Sequence, residues 1–110
     1  MEMVPLINTL NGFIRGVNEE LFDGERHVTK FLGVPYAEPP IGKLRFERPQ
    51  EVKSWKGVWN ADSFAPSCVQ SYTISKAHRT TDDGIKEDED CLYLNIWKQK
   101  RTSKGATIMV

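Results

Sequence analysis

The sequence predicts a β-rich chain, and three observations carry that reading. Two hairpin signals fall early: Asn11-Gly12 between residues 6–10 and 13–17, and Asp23-Gly24 between 17–22 and 27–34. Such dipeptides tolerate the positive φ of a two-residue hairpin turn. Cys91-Leu92-Tyr93-Leu94-Asn95-Ile96-Trp97 is the strongest strand by β-branched and aromatic content. No convincing amphipathic helix is visible. The only helix-compatible polar run, residues 75–90, has almost no apolar face.

Residues 6–10 and 13–17 form the arms of the first hairpin. In the second, residues 27–34 carry apolar side chains at both parities, which predicts a strand covered on both sides. From Pro35 the character changes. Pro35, Pro39, Pro40, Gly42 and Pro49 fall within fifteen residues. Proline lacks a backbone donor and restricts its predecessor, so neither helix nor strand persists there. Tyr36, Ile41, Leu44 and Phe46 are the expected apolar anchors of this irregular stretch. Val58-Trp59-Asn60 reads as a short strand. Residues 69–90 form a polar loop ending in the acidic run Glu87-Asp88-Glu89-Asp90. Lys98, Lys100, Arg101 and Lys104 make a basic turn segment. Ala106-Thr107-Ile108-Met109-Val110 begins another apolar strand, and a chain stopping there reads as cut, a terminal sheet strand being the alternative.

The 110 residues fit one domain, and 15 basic against 15 acidic residues give no net charge. That argues against nucleic acid or an anionic membrane as a partner. Leu, Ile, Val and Phe supply about a quarter of the chain, above the range of disorder. The hydrophobic fraction of 39% is modest, so a large independent core is not expected. No apolar run approaches the roughly 18 residues of a membrane span. The first five residues show no secretory signal.

Little here can catalyse a reaction. There is no Gly-x-Ser-x-Gly elbow, no Gly-x-Gly-x-x-Gly and no Walker sequence. His27 and His78 stand alone, in a strand and in the polar loop. Asp82-Asp83-Gly84 and residues 87–90 lack the alternating spacing of a calcium loop and read as a solvated acidic face. No metal or cofactor is expected. Cys68 and Cys91 are too far apart for a Cys-x-x-Cys motif. Their own pattern leaves two possibilities, buried free thiols or one disulfide closing the polar loop.

Residues 31–46, Phe-Leu-Gly-Val-Pro-Tyr-Ala-Glu-Pro-Pro-Ile-Gly-Lys-Leu-Arg-Phe, resemble the "FLGIPYAEPPVGxLRF" block of type-B carboxylesterases and cholinesterases. Trp55-Lys56-Gly57-Val58-Trp59-Asn60-Ala61 is similar to the "WxGxxNAT" segment that follows in that family. Glu89-Asp90-Cys91-Leu92-Tyr93-Leu94-Asn95-Ile96 matches its "EDCLYLNI" signature. The blocks stand in family order, within residues 12–97.

The resemblance implies an α/β-hydrolase fold, of which residues 1–110 would be the β-rich N-terminal part, ending before the oxyanion loop and nucleophile elbow. Residues 7–10, 13–16 and 58–60 would form its small antiparallel sheet. Residues 27–34, 92–97 and 107–110 would enter the central mixed sheet. Family members hydrolyse carboxylic esters with a Ser-Glu/Asp-His triad and backbone oxyanion donors. None of those parts matches a position here, so no catalytic residue is carried over. The resemblance does assign Cys68 and Cys91 to a disulfide closing a loop beside the active-site gorge. It also assigns Arg45 and Glu89 to a buried structural ion pair. It implies as partners the remainder of the hydrolase domain and a small ester substrate, with no cofactor. It implies a secreted or ER-lumen location; the missing signal leaves the cytoplasm open. In cholinesterases the stapled loop carries a Trp that receives the choline cation. Residues 69–90 hold no Trp and one aromatic, Tyr72, which favours a general carboxylesterase. The alternatives are a choline-selective enzyme and a non-catalytic, neuroligin-type adhesion protein.

Overall fold

A computed structural model describes residues 4–22, 24, 26–70, 86–100 and 104–110. Six strands make two three-stranded sheets, and no α-helix occurs among the described residues. The first sheet has the order β1-β2-β5, from Leu6–Thr9, Gly12–Arg15 and Val58–Asn60. The second has the order β3-β4-β6, from Val17–Glu20, His27–Pro35 and Tyr93–Gln99.

The first sheet is mixed, not antiparallel as expected. β1 and β2 form the hairpin, but β5 runs parallel to β2, with Ile14 opposite Trp59. The reason is connectivity: β5 arrives after a long excursion through the other sheet and the proline stretch, so no tight turn forces it to reverse. The described strands of the second sheet are all antiparallel. Residues 107–110 do not form the expected strand. They contribute one bridge, in which Trp97 and Met109 exchange N–H···O bonds of 2.9 and 3.0 Å.

The Asn11-Gly12 hairpin is shifted by one residue from its predicted register. Thr9 pairs with Gly12, so Leu10 and Asn11 occupy the turn, and neither has positive φ. The Thr9 hydroxyl donates to the Gly12 carbonyl and accepts from the Asn11 N–H. Gly12, at φ +142°, serves close approach instead: a Cβ there would lie 2.5 Å from the Trp55 indole nitrogen. That indole N–H donates to the Phe13 carbonyl at 2.9 Å. In the second hairpin Glu20 pairs with His27, and Gly24 sits at φ +73° in the turn; Asp23 lies outside the described residues.

β4 is the spine of the molecule. It pairs with β3 on one side and β6 on the other, and Thr29, Phe31, Leu32 and Val34 are buried. Its apolar residues at both parities have a specific cause. Phe31 opposes Ile96 and Val34 opposes Leu94, so Leu32 and Gly33 together face Asn95 alone. This two-against-one bulge resets the alternation. Phe31 and Val34, three residues apart, therefore join one core with Ile14 and Ala61, against which Trp55, Trp59, Leu94 and Ile96 pack.

The bulge also joins the sheets. The Leu32 N–H donates to Ala61 O at 2.9 Å, just beyond β5. The Gly33 N–H donates to the Asn95 side-chain oxygen at 3.0 Å, and the Trp59 indole donates to the Gly33 carbonyl at 3.1 Å. The Leu32 and Gly33 N–H groups and the Gly33 carbonyl, drawn out of the regular ladder by the bulge, thus find partners, as a buried strand requires. Gly33 has φ +71°, and an added Cβ would meet the Ser63 carbonyl at 2.7 Å.

Candidate functional site

The residues assigned by sequence gather where three segments converge: the proline stretch, the residues after β5 and the approach to β6. Cys68 and Cys91 form a disulfide, with Cα atoms 5.0 Å apart. Beside it, Ser67 and Glu87 make a parallel bridge: the Ser67 N–H donates to Lys86 O at 2.9 Å and the Asp88 N–H to Ser67 O at 3.0 Å. The neck of the polar loop is therefore closed twice, once covalently and once by backbone. Closing such a loop by the disulfide contributes roughly 3 kcal/mol by chain entropy. Tyr72, His78, Asp82, Asp83 and Gly84 lie outside the described residues.

Arg45 reaches Glu89 at 2.7 Å. The pair is not buried as expected: the two side chains keep 53% and 45% of their surface exposed. The physical reason is that nothing in the described chain covers this side. Phe46, which the sequence reading made an anchor, is 97% exposed, and Tyr36 and Ile41 are about half exposed. In this environment the pair belongs with surface ion pairs, at about 1 kcal/mol or less, instead of the several kcal/mol of a buried one. The proline stretch is held by backbone bonds instead of apolar anchors. The Tyr36 N–H donates to Leu92 O, the Glu38 N–H to Gln50 O, and a single 3-10 turn spans Gly42–Leu44. Ala37, which the sequence reading passed over, is the residue of this stretch that is buried.

Beyond the disulfide, the Tyr93 hydroxyl donates to Asp90 at 2.9 Å. Partial burial, then this hydrogen bond and the negative charges of Asp90 and Asp88, push its pKa up to about 12. The same anions that would tempt a metal reading act here on a phenol. Among the described residues no group of three or more His, Cys, Asp or Glu side chains is placed to hold a metal ion. His27 opens β4 opposite Glu20, while Ser63 and Ser67 lie in the segment after β5. The arrangement is a braced, stapled loop neck with an open apolar shoulder.

Sequence reasoning missed two residues that position this neck. Asn95 and Gly33 form the bulge bond that sets the register of β6, and β6 fixes where Cys91 emerges. A glycine inside an apolar strand pattern is the signal that could have found it. The positive φ of Phe46, +61°, carries no signal in the sequence.

The sequence matches the model of the carboxylesterase family over residues 3–110. It is 41% identical over 108 residues to acetylcholinesterase of Bungarus fasciatus, covering 94% of this chain and 18% of that protein. It is 38% identical over 109 residues to cholinesterase of Mus musculus, covering 96% and 18%. It is 37% identical over 112 residues to liver carboxylesterase 1 of Oryctolagus cuniculus, covering 96% and 20%. The chain thus spans about a fifth of the length of the curated relatives it matches. The bulged strand, the stapled neck and the Arg45–Glu89 contact all lie within the matched residues, and with that match the chain belongs to the carboxylesterase family.

Proposed function

We propose that residues 1–110 are the N-terminal part of a serine carboxylic-ester hydrolase of type B, serving as scaffold and as a wall of its active-site gorge, not as its catalyst. The observation that carries this reading is the stapled loop neck, Cys68–Cys91, inside a family match that covers residues 3–110. Ester hydrolysis at neutral pH needs an activated nucleophile and preorganised oxyanion donors. Family resemblance assigns those to other segments, with a small carboxylic ester as substrate and the remainder of the α/β-hydrolase domain as partner. A disulfide fits an oxidising compartment, which supports a secreted or ER-lumen location. Among the described residues no helix is long and apolar enough to cross a membrane.

A choline-selective enzyme is a second reading, favoured by the 41% and 38% identities to cholinesterases. The absence of a Trp in residues 69–90 weighs against it.

The test is a chimera in which residues 3–110 replace the matched fifth of the rabbit liver carboxylesterase, assayed beside the isolated chain with p-nitrophenyl acetate. The chimera is expected to turn over substrate and to be blocked by a serine-directed inhibitor. The isolated chain is expected to do neither and to show no cooperative melt. Apolar Ile108, Met109 and Val110 stand 54–81% exposed, and unpaired strand edges promote aggregation. An inactive chimera, or turnover by the isolated chain above an inhibitor-blocked control, sinks the proposal.

A further inference from the structure

The two sheets leave different kinds of edge. In the second sheet the edge strand β3 carries Asn18, Glu19 and Glu20. Charged side chains on an edge discourage pairing with another strand. In the first sheet the edge strand is β1, and residues 4–10 read Val-Pro-Leu-Ile-Asn-Thr-Leu, without a charge. Val4, Leu6, Ile7 and Leu10 are 59, 49, 40 and 102% exposed. The family resemblance assigns this small sheet no fourth strand, so it leaves β1 as an edge of the complete domain.

The ladder fixes which way the β1 backbone points. The Gly16 N–H donates to Pro5 O at 2.8 Å, and along the same register Ile7 pairs with Ile14 and Thr9 with Gly12. Hydrogen-bonded and non-hydrogen-bonded pairs alternate in an antiparallel ladder. Pro5, Ile7 and Thr9 therefore turn their backbone groups to β2, and Leu6 and Asn8 turn theirs outward. The proline sits on the paired side, so its missing N–H leaves the outer edge whole. Side chains alternate as well. Ile7 shares the face of buried Ile14, and Leu6 and Asn8 share the outer face with Arg15 and Phe13.

We infer that β1 pairs antiparallel with β1 of a second copy of this chain, about a two-fold axis through Ile7. In that register the edge is self-complementary. Leu6 faces Asn8 of the second copy and Asn8 faces its Leu6, and both residues offer outward N–H and C=O groups. Val4 faces Leu10 in each direction, which covers the most exposed side chain of the edge. Every residue from 4 to 10 has a counterpart, whereas moving the axis to Leu6 or Asn8 leaves two residues of each copy unpaired. No charge meets a like charge across the axis, as Glu19 and Glu20 risk between two β3 strands. This palindromic match makes a second copy the occupant, and a two-fold contact closes at two copies. The interface is far smaller than the roughly 20–30 residues a side of a standard complex, so the dimer is weak, with Kd above roughly 1 μM.

Cysteine cross-linking of the folded chimera tests the pairing. Ile7→Cys sets two thiols across the axis at a non-hydrogen-bonded pair, with Cα atoms about 4.5 Å apart, within reach of a disulfide. Leu10→Cys is the control, because its side chain is fully exposed but its twin lies about 20 Å along the strand. Under oxidised glutathione, Ile7→Cys is expected to become a covalent dimer about tenfold faster than Leu10→Cys or more. Equal rates, or faster cross-linking at Leu10, overturn the inference. Sedimentation of the chimera without added cysteines is the second measurement. Asn8→Pro removes an outward N–H and none that bonds to β2, so it is expected to weaken association about tenfold or more. Association unchanged by Asn8→Pro, or a parent that stays monomeric at about 100 μM, overturns the inference. Should Asn8→Pro fail to fold, the cross-linking rates decide. A folded but inactive chimera counts against the ester-hydrolase reading alone, because neither measurement uses turnover.

Discussion

The two hairpins begin from nearly the same signal and end differently. Asn11-Gly12 and Asp23-Gly24 each stand between two predicted strand arms. In the second, Gly24 supplies the left-handed turn residue, and a Cβ there would meet only a Glu20 carboxylate oxygen at 3.5 Å. In the first, the turn moves back to Leu10 and Asn11, and Gly12 becomes the floor beneath Trp55. The cause is a neighbour from far along the chain. The Trp55 N–H donates to Asn11 O at 2.9 Å, and the Asn11 side chain donates to Val52 O at 3.1 Å. A glycine can serve φ or proximity, and the dipeptide alone does not say which.

The sheets built on these hairpins differ in the same way. β4, in the second sheet, has four buried residues beside Gly33, whereas the first sheet sends only Ile14 fully into the core. The most direct way to break the comparison uses one residue type in both places. Phe31→Ala is expected to cost about 3–5 kcal/mol, because Phe31 is 2% exposed and a large cavity would remain. Phe13→Ala, at a ring 42% exposed, is expected to cost about 1 kcal/mol. Denaturant midpoints of the chimera measure both, and equal losses would show that the sheets share the load.

Gly33→Ala should come next, at about 2–4 kcal/mol. It combines a positive φ with backbone contact at 2.7 Å, and neither the Ser63 carbonyl nor the bulge can give way cheaply. A shift of the same curve below about 1 kcal/mol would mean the bulge relaxes into regular pairing.

Gly12→Ala and Gly24→Ala then separate the two glycine roles. Gly12→Ala should cost about 2 kcal/mol, since the Trp55 ring must move and its bond to Phe13 O is lost. Gly24→Ala should cost about 1 kcal/mol, for the left-handed φ alone. Replacing Trp55 by Leu should bring the Gly12→Ala cost down toward the Gly24→Ala value. A double-mutant cycle without that coupling would refute the close-approach account.

The smallest effect concerns pH near the loop neck. The Tyr93 pKa is raised in the folded state to about 12, from a usual 10. The folded protein therefore holds the phenol proton more tightly than the unfolded chain. The resulting stability is fully present below pH 10 and is lost as pH rises through about 12. Tyr93 is only partly buried, so solvent screening keeps the loss small. Tyr93→Phe should flatten the stability curve across that window, and an unchanged slope would remove the Asp90 bond from the explanation.

Strand positions were legible because alternation, turn dipeptides and β-branched residues are local. The predicted strands 7–10, 13–16, 27–34, 58–60 and 92–97 each overlap an observed one within two residues or so at their ends. The segment 107–110 was not legible in this way. Its apolar pattern is satisfied by one bridge, because strand pairing depends on what lies alongside.

Three motif blocks carry the family, and local pattern marks the places where strands can form. The sequence by itself also brought Cys68 to Cys91 and Arg45 to Glu89, though only by way of the resemblance. Tertiary structure decided the direction of β5, the one-residue shift of the first turn and the bulge that turns Phe31 and Val34 to one face. It also decided that Arg45 and Glu89 meet at a half-exposed site. The physical reason is common to all four. Each depends on which distant backbone or ring occupies the adjoining space, and a residue's own chemistry constrains its near neighbours along the chain far more than its neighbours across it.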